Sequence, residues 1–183
     1  MPLSADRVQE RLRGVAVGLL TPFTEDREIE HEKIQENAKT LYGEGIRTFL
    51  ATANISEYHS LSKSERISVA KDAVEALPPD ACILAGVGGS TSHAKELIRE
   101  YEQIGVDAMM IMPPDHTYLH ERGLLEYYRK LAADTDRPLV PYVRGFDPSV
   151  EYLADLTRVD GVVGIKYALK DAVKLGAGVT AGD

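Results

Sequence analysis

The chain predicts an α/β fold built on parallel strands, and three observations predict it. Six short apolar runs bounded by glycine or proline alternate with amphipathic stretches of helical period. The runs are apolar throughout, as strands buried on both faces are. Glycine followed by a β-branched residue recurs at Gly45-Ile46, Gly105-Val106 and Gly161-Val162, each pair placing a left-handed helix terminator just before a strand. Strict β-α alternation implies right-handed crossovers, which leaves a doubly wound sheet or a (β/α)₈ barrel.

Taken in order, residues 1–13 read as a polar N-terminal helical extension, and the strands are expected at 15–23, 46–53, 82–88, 107–113, 139–143 and 162–166. Helical faces are marked by Ile34, Ala38, Leu41 and Tyr42, then by Ile67, Ala70, Val74 and Leu77. Further faces follow at Ala94, Ile98 and Tyr101, at Leu124, Tyr128 and Leu131, and at Val150, Leu153 and Ala154. Ser62 with Glu65 forms a capping box, Thr91 is the expected cap of the helix after the third strand, and Asp147-Pro148 pairs an N-cap with a first-turn proline. The glycine-rich tail 174–183 reads as the end of a sixth helix running into a connection.

Composition narrows the function classes. A formal charge of −8 opposes binding to phosphate backbones and anionic lipid, so nucleic acid and membrane surfaces are not expected partners. No leader-like segment opens the chain, and no run of about 18 apolar residues occurs in it. With one cysteine, Cys82, inside an apolar run, the expectation is a reducing cytoplasm and a buried, inert thiol. A dinucleotide-binding turn is absent, and Gly86–Gly89 has the wrong spacing and place for a phosphate cradle. His31, His59, His93, His116 and His120 show no metal-binding spacing, so neither a metal nor a cofactor is expected.

In an all-parallel fold, function sits at the carboxyl ends of the strands. Those ends carry Thr21-Pro22-Phe23, Asn54 to Glu57, Gly88 to Ser90, Pro113 to His116, Tyr142 to Arg144, and Lys166-Tyr167. Lys166 closes the apolar segment Val162–Ile165. Such a lysine is either a solvated rim residue or a partly desolvated amine with a lowered pKa, able to form a Schiff base with a ketone.

From about Gly14 to Lys166 the order of motifs resembles the dihydrodipicolinate synthase/N-acetylneuraminate lyase family of class I Schiff-base lyases. The matching pieces are LLTPF at 19–23, ISEYHSL at 55–61, AGVGGST at 85–91, MPP at 112–114, Tyr142, and GIK at 164–166. The resemblance implies one (β/α)₈ barrel domain over 1–183, truncated after about six βα units, and a chain that is a piece of a longer, homo-oligomeric protein. It implies Lys166 as the Schiff-base lysine and Tyr142 as the proton-relaying hydroxyl. The family's G-T-T-G-E carboxylate loop corresponds to Ala53-Asn54-Ile55-Ser56-Glu57, making Asn54, Ile55 and Ser56 substrate-binding candidates although both threonines are absent. A second tyrosine of the family is replaced by His116.

Tyr142-Val143-Arg144 together with Pro113-Pro114 is similar to the branch that dehydrates or cleaves 2-keto-3-deoxy sugar acids. Arg144 suits an anionic substrate because its planar fork holds a carboxylate in two hydrogen bonds; its other reading is a rim charge paired with Asp147. His116 is either a substrate-hydroxyl or proton-moving group or a solvated loop residue. The expected function is a cofactor-free lyase for pyruvate or a 2-keto-3-deoxy sugar acid, by aldolase or dehydratase chemistry. Its alternatives are a condensation of the 4-hydroxy-tetrahydrodipicolinate synthase type and a non-catalytic keto-acid-binding or incomplete barrel.

Overall fold

In the computed structural model, which describes residues 2–116 and 118–182, six strands lie in one parallel sheet in the order of the chain. The strands are β1 (Ala16–Gly18), β2 (Thr48–Leu50), β3 (Cys82–Val87), β4 (Ala108–Ile111), β5 (Leu139–Val143) and β6 (Lys166–Tyr167). The helices are α1 (Ala5–Leu12), α2 (His31–Gly43), α3 (Lys63–Ala76), α4 (Thr91–Ile104), α5 (Glu121–Ala132), α6 (Val150–Thr157) and α7 (Ala172–Gly182). Strands joined to their sequence neighbours all along, with β1 and β6 at the two edges, form the staves of a barrel left open on one side. That order excludes the doubly wound alternative, whose strand order reverses at a switch point.

Alternation along the strands separates two apolar layers. Phe49, Ile83, Met109, Ile111, Leu139 and Val143 pack with helix residues such as Ala38, Ala70, Ile98 and Tyr128 on the outer face. Leu50, Leu84, Met110, Val140 and Tyr142 point the other way, and Val8 of α1 joins them with no exposed surface. The N-terminal helix therefore plugs the amino-terminal end of the inner face. Asp107 fixes it there, its carboxylate accepting from the backbone N–H of Leu3 at 2.7 Å and of Ile83 at 2.8 Å.

The glycine stops Gly45, Gly105 and Gly161 all have positive φ, between 83° and 96°. The Ser62/Glu65 capping box is present. Two expected caps fall elsewhere. Ser90, one residue before Thr91, accepts from the His93 N–H at 3.3 Å, and Ser149 accepts from the Tyr152 N–H at 3.0 Å. Asp147 is drawn off to Lys174 at 2.5 Å, and Pro148 precedes the cap instead of opening the helix. The 174–183 tail also differs. Through residue 182 it is helical, because Gly178 and Gly182 let α7 lie directly against Leu153 and Thr157 of α6, where a Cβ would collide. The last strand starts four residues later than expected. Residues 161–163 hydrogen-bond to Leu139, and regular pairing resumes at Lys166.

Candidate active site

The inner face of the sheet holds a cavity of about 720 Å³. Its floor is apolar, made by Leu50, Leu84, Met110 and Val140, and among its lining residues the charged ones are Arg13 and Lys166. Among the described residues no carboxylate lines it. Anions are therefore favoured over cations in this space by the charges of the wall alone.

Register brings the two central residues together. Tyr142 and Lys166 are partners across the β5–β6 ladder, and side chains of paired strand residues stand on the same face. The Lys166 amine lies 4.3 Å from the centroid of the Tyr142 ring and donates to Met110 Sδ at 3.6 Å. Half-buried in this setting, Lys166 has its pKa lowered from the ordinary lysine value, first by loss of water around the amine and then by the charge of Arg144.

The carboxylate-loop residues divide. After β2 the chain turns through a short 3₁₀ helix, Asn54–Ser56, ended by Glu57 at φ 61°. Asn54 and Ile55 line the cavity with Lys166, and the Asn54 side-chain oxygen is buried without a hydrogen-bond partner among the described residues. Ile55 is 60 % exposed and reaches over Gly18 of β1, where any Cβ would overlap its methyl group. Ser56 is fully buried. Its hydroxyl donates to the Leu19 carbonyl at 2.5 Å and accepts from the Ala53 N–H at 3.0 Å, while Thr21 donates to the Ser56 carbonyl at 2.8 Å. These bonds tie the loop to the end of β1 and leave the serine facing inward to the fold.

Arg144 and His116 stand together elsewhere, lining a second cavity of about 240 Å³ with His59 and Asp115. Arg144 follows Tyr142 by two residues, just past the end of β5, with its guanidinium 5.5 Å from the Tyr142 ring centroid. The alternative reading of Arg144, a rim charge paired with Asp147, is not what the structure has: Asp147 bonds Lys174. His116 Nδ1 accepts from the Tyr118 N–H at 3.1 Å, shaping its own loop.

A family model described as the dihydrodipicolinate synthetase family matches residues 11–178. The chain belongs to this family. The 4-hydroxy-tetrahydrodipicolinate synthase of Methanothermobacter thermautotrophicus is 29 % identical over 170 residues, covering 90 % of this chain and 60 % of the relative. A protein of Bacillus licheniformis named as a probable 5-dehydro-4-deoxyglucarate dehydratase is 30 % identical over 181 residues, covering 94 % of this chain and 58 % of that one. The crystal structure of dihydrodipicolinate synthase from Oceanobacillus iheyensis superposes with a TM-score of 0.89 at 30 % identity, over 97 % of this chain and 60 % of that one. The chain thus spans about 60 % of the length of the relatives it matches. Family membership fixes the barrel reading of the open sheet.

Among the lining residues that escaped the sequence are Met110, Gln9 of α1 and Arg13 just past it. Period-two alternation marks Met110 as inward once the register is known. Nothing in the sequence of α1 signals that it closes the inner face. No helix among the described residues is long and apolar enough to cross a membrane.

Proposed function

We propose that this chain forms a Schiff base between Lys166 and the C2 ketone of pyruvate or a 2-keto-3-deoxy sugar acid, and acts as a lyase through the resulting enamine. The observation that carries the reading is the setting of the Lys166 amine, half-buried beside the Tyr142 ring in a cavity with no carboxylate among its described lining residues. The neutral amine adds to C2 and water leaves, giving an iminium. Loss of a C3 proton gives the enamine, and departure of the C4 hydroxyl with a proton completes a dehydration. Breaking C3–C4 of the iminium instead, with loss of the C4 hydroxyl proton, leaves the enamine of pyruvate and an aldehyde. The iminium is itself the electron sink, so the reading needs no cofactor.

Tyr142 is assigned the proton transfers, being the hydroxyl-bearing side chain against the amine. The substrate carboxylate is assigned to the turn at Asn54 and Ile55, whose backbone N–H groups open a 3₁₀ helix and so have no acceptor within it. Ser56 takes a supporting part by tying that turn to Leu19. Arg144 and His116, which line the second cavity, are assigned the far end of a polyhydroxylated acid. The match to a 4-hydroxy-tetrahydrodipicolinate synthase favours condensation of the pyruvate enamine as the second reading. A reducing cytoplasm is the compartment this chemistry and the free, buried Cys82 suit, and a homo-oligomer is the assembly proposed for the full-length protein.

The test is product analysis by mass spectrometry after incubation with a 2-keto-3-deoxy sugar acid. A product lighter by one water supports dehydration, and release of pyruvate supports aldol cleavage. A substrate left intact, with no adduct on the protein, contradicts the lyase reading.

A further inference from the structure

We propose that Met110 is the positioning residue of Lys166: its thioether is the resting partner of the amine, aiming it along the Tyr142 ring without holding a proton on it. The inference rests on the Schiff-base reading for its consequence, though not for its geometry. Met110 is fully buried at the floor of the cavity, two strands away from β6 on the same inner face, and its Sδ receives the Lys166 N–H at 3.6 Å. A thioether is a weak acceptor and carries no charge. It can orient the amine while offering the ammonium form no ion pair, which a carboxylate in the same place would supply.

Among the described residues, the charged and titratable groups around the amine are Tyr142 of β5, Arg144 just past it and Arg13 just past α1, and none of them is a carboxylate. Met110 is therefore placed where a change of side chain alters the proton affinity of Lys166 directly. An aliphatic residue there would keep the floor apolar and filled but offer the amine no acceptor to fix its direction.

Trace acetylation with acetic anhydride across a range of pH, mapped to the Lys166 peptide by mass spectrometry, reads the proton affinity of this amine without any keto acid. Met110→Glu is expected to lower Lys166 labelling at mildly alkaline pH about tenfold, the effect of a one-unit rise in pKa. Met110→Leu is expected to keep the labelling midpoint and slow borohydride trapping with pyruvate at every pH. Circular dichroism and thermal melts check that both variants fold, and Met110→Gln, neutral and closer in shape, replaces the glutamate if it does not. The glutamine is expected to hold the amine through a stronger acceptor, leaving the midpoint near that of the wild type while changing the trapping rate.

A Met110→Glu profile superimposable on the wild type would overturn the proposal, as would a Met110→Leu protein that traps at the wild-type rate. The labelling arm separates the two claims: a profile that moves with Met110 while pyruvate never traps supports the contact and refutes the Schiff-base reading.

Discussion

Tyr142 and Lys166 are register partners on neighbouring parallel strands, and the lysine amine sits 4.3 Å from the centre of the tyrosine ring. This pairing places the amine against the tyrosine ring through backbone hydrogen bonds, with no dependence on a flexible loop. Arg144, just past the end of β5, adds a charge that bears on the amine from the mouth of the barrel.

Removing that charge has a defined sign. Arg144 disfavours the ammonium form of Lys166, so Arg144→Ala raises the amine pKa and leaves less free amine at a given pH. Imine trapping should move to higher pH, and trapping at neutral pH should slow. A profile that stays in place, or moves to lower pH, would show that the guanidinium does not act on the amine.

Stability carries the opposite signature at Lys166. Its folded pKa lies below the unfolded value, so protonation opposes folding fully below the folded pKa, and the penalty disappears as pH rises from there toward the unfolded value. Lys166→Met should raise the melting temperature at neutral pH, with a gain that shrinks in the alkaline range. Parallel melts of both proteins across pH check this, and a gain that grew with pH would contradict it.

Gly86 is required by close approach. A Cβ there would overlap the Thr52 carbonyl and press on the Tyr58 ring at 3.0 Å, at the place where the Gly86 N–H donates to Thr52 Oγ1 at 2.7 Å. Gly86→Ala should cost about 1–3 kcal/mol by overpacking. It should also disturb the 54–56 turn, which Tyr58 packs beside. Denaturant melts read the first effect, and an unchanged midpoint would show that the strands have room to spare.

Burial pushes the Cys82 thiol up to about 12, with Asp107 nearby adding to the shift. The native protein should resist thiol reagents at mildly alkaline pH and react fully once unfolded. Rapid modification of the native protein would mean that the amino-terminal end of the inner face, under α1, is open.

How much of this was legible in the sequence depended on whether a signal was local. Gly45, Gly105 and Gly161 announce themselves because a left-handed backbone favours glycine, and Leu139–Val143 has the bounds that its apolar run gives. Ser90 and Ser149 lost out to Thr91 and Asp147 in the reading because adjacent residues cap equally well on paper, and the path of the preceding loop decides between them. The 174–182 helix was hidden because glycine weakens a helix locally, whereas here it permits tight packing on α6. Lys166, Tyr142, Asn54 and Ile55 could be proposed for one cavity from their strand-end positions. Met110 could not, since Met109 to Met112 are all apolar and only the register tells which of them face inward.

The central claim is that one lysine of this chain, Lys166, carries the chemistry. The most direct measurement is borohydride reduction in the presence of pyruvate, followed by peptide mass mapping of every lysine. The account predicts a single reduced adduct on the Lys166 peptide, abolished in Lys166→Ala while circular dichroism shows the fold retained. An adduct on Lys33, Lys39, Lys63, Lys71, Lys95 or Lys130, or trapping that survives Lys166→Ala undiminished, would contradict it.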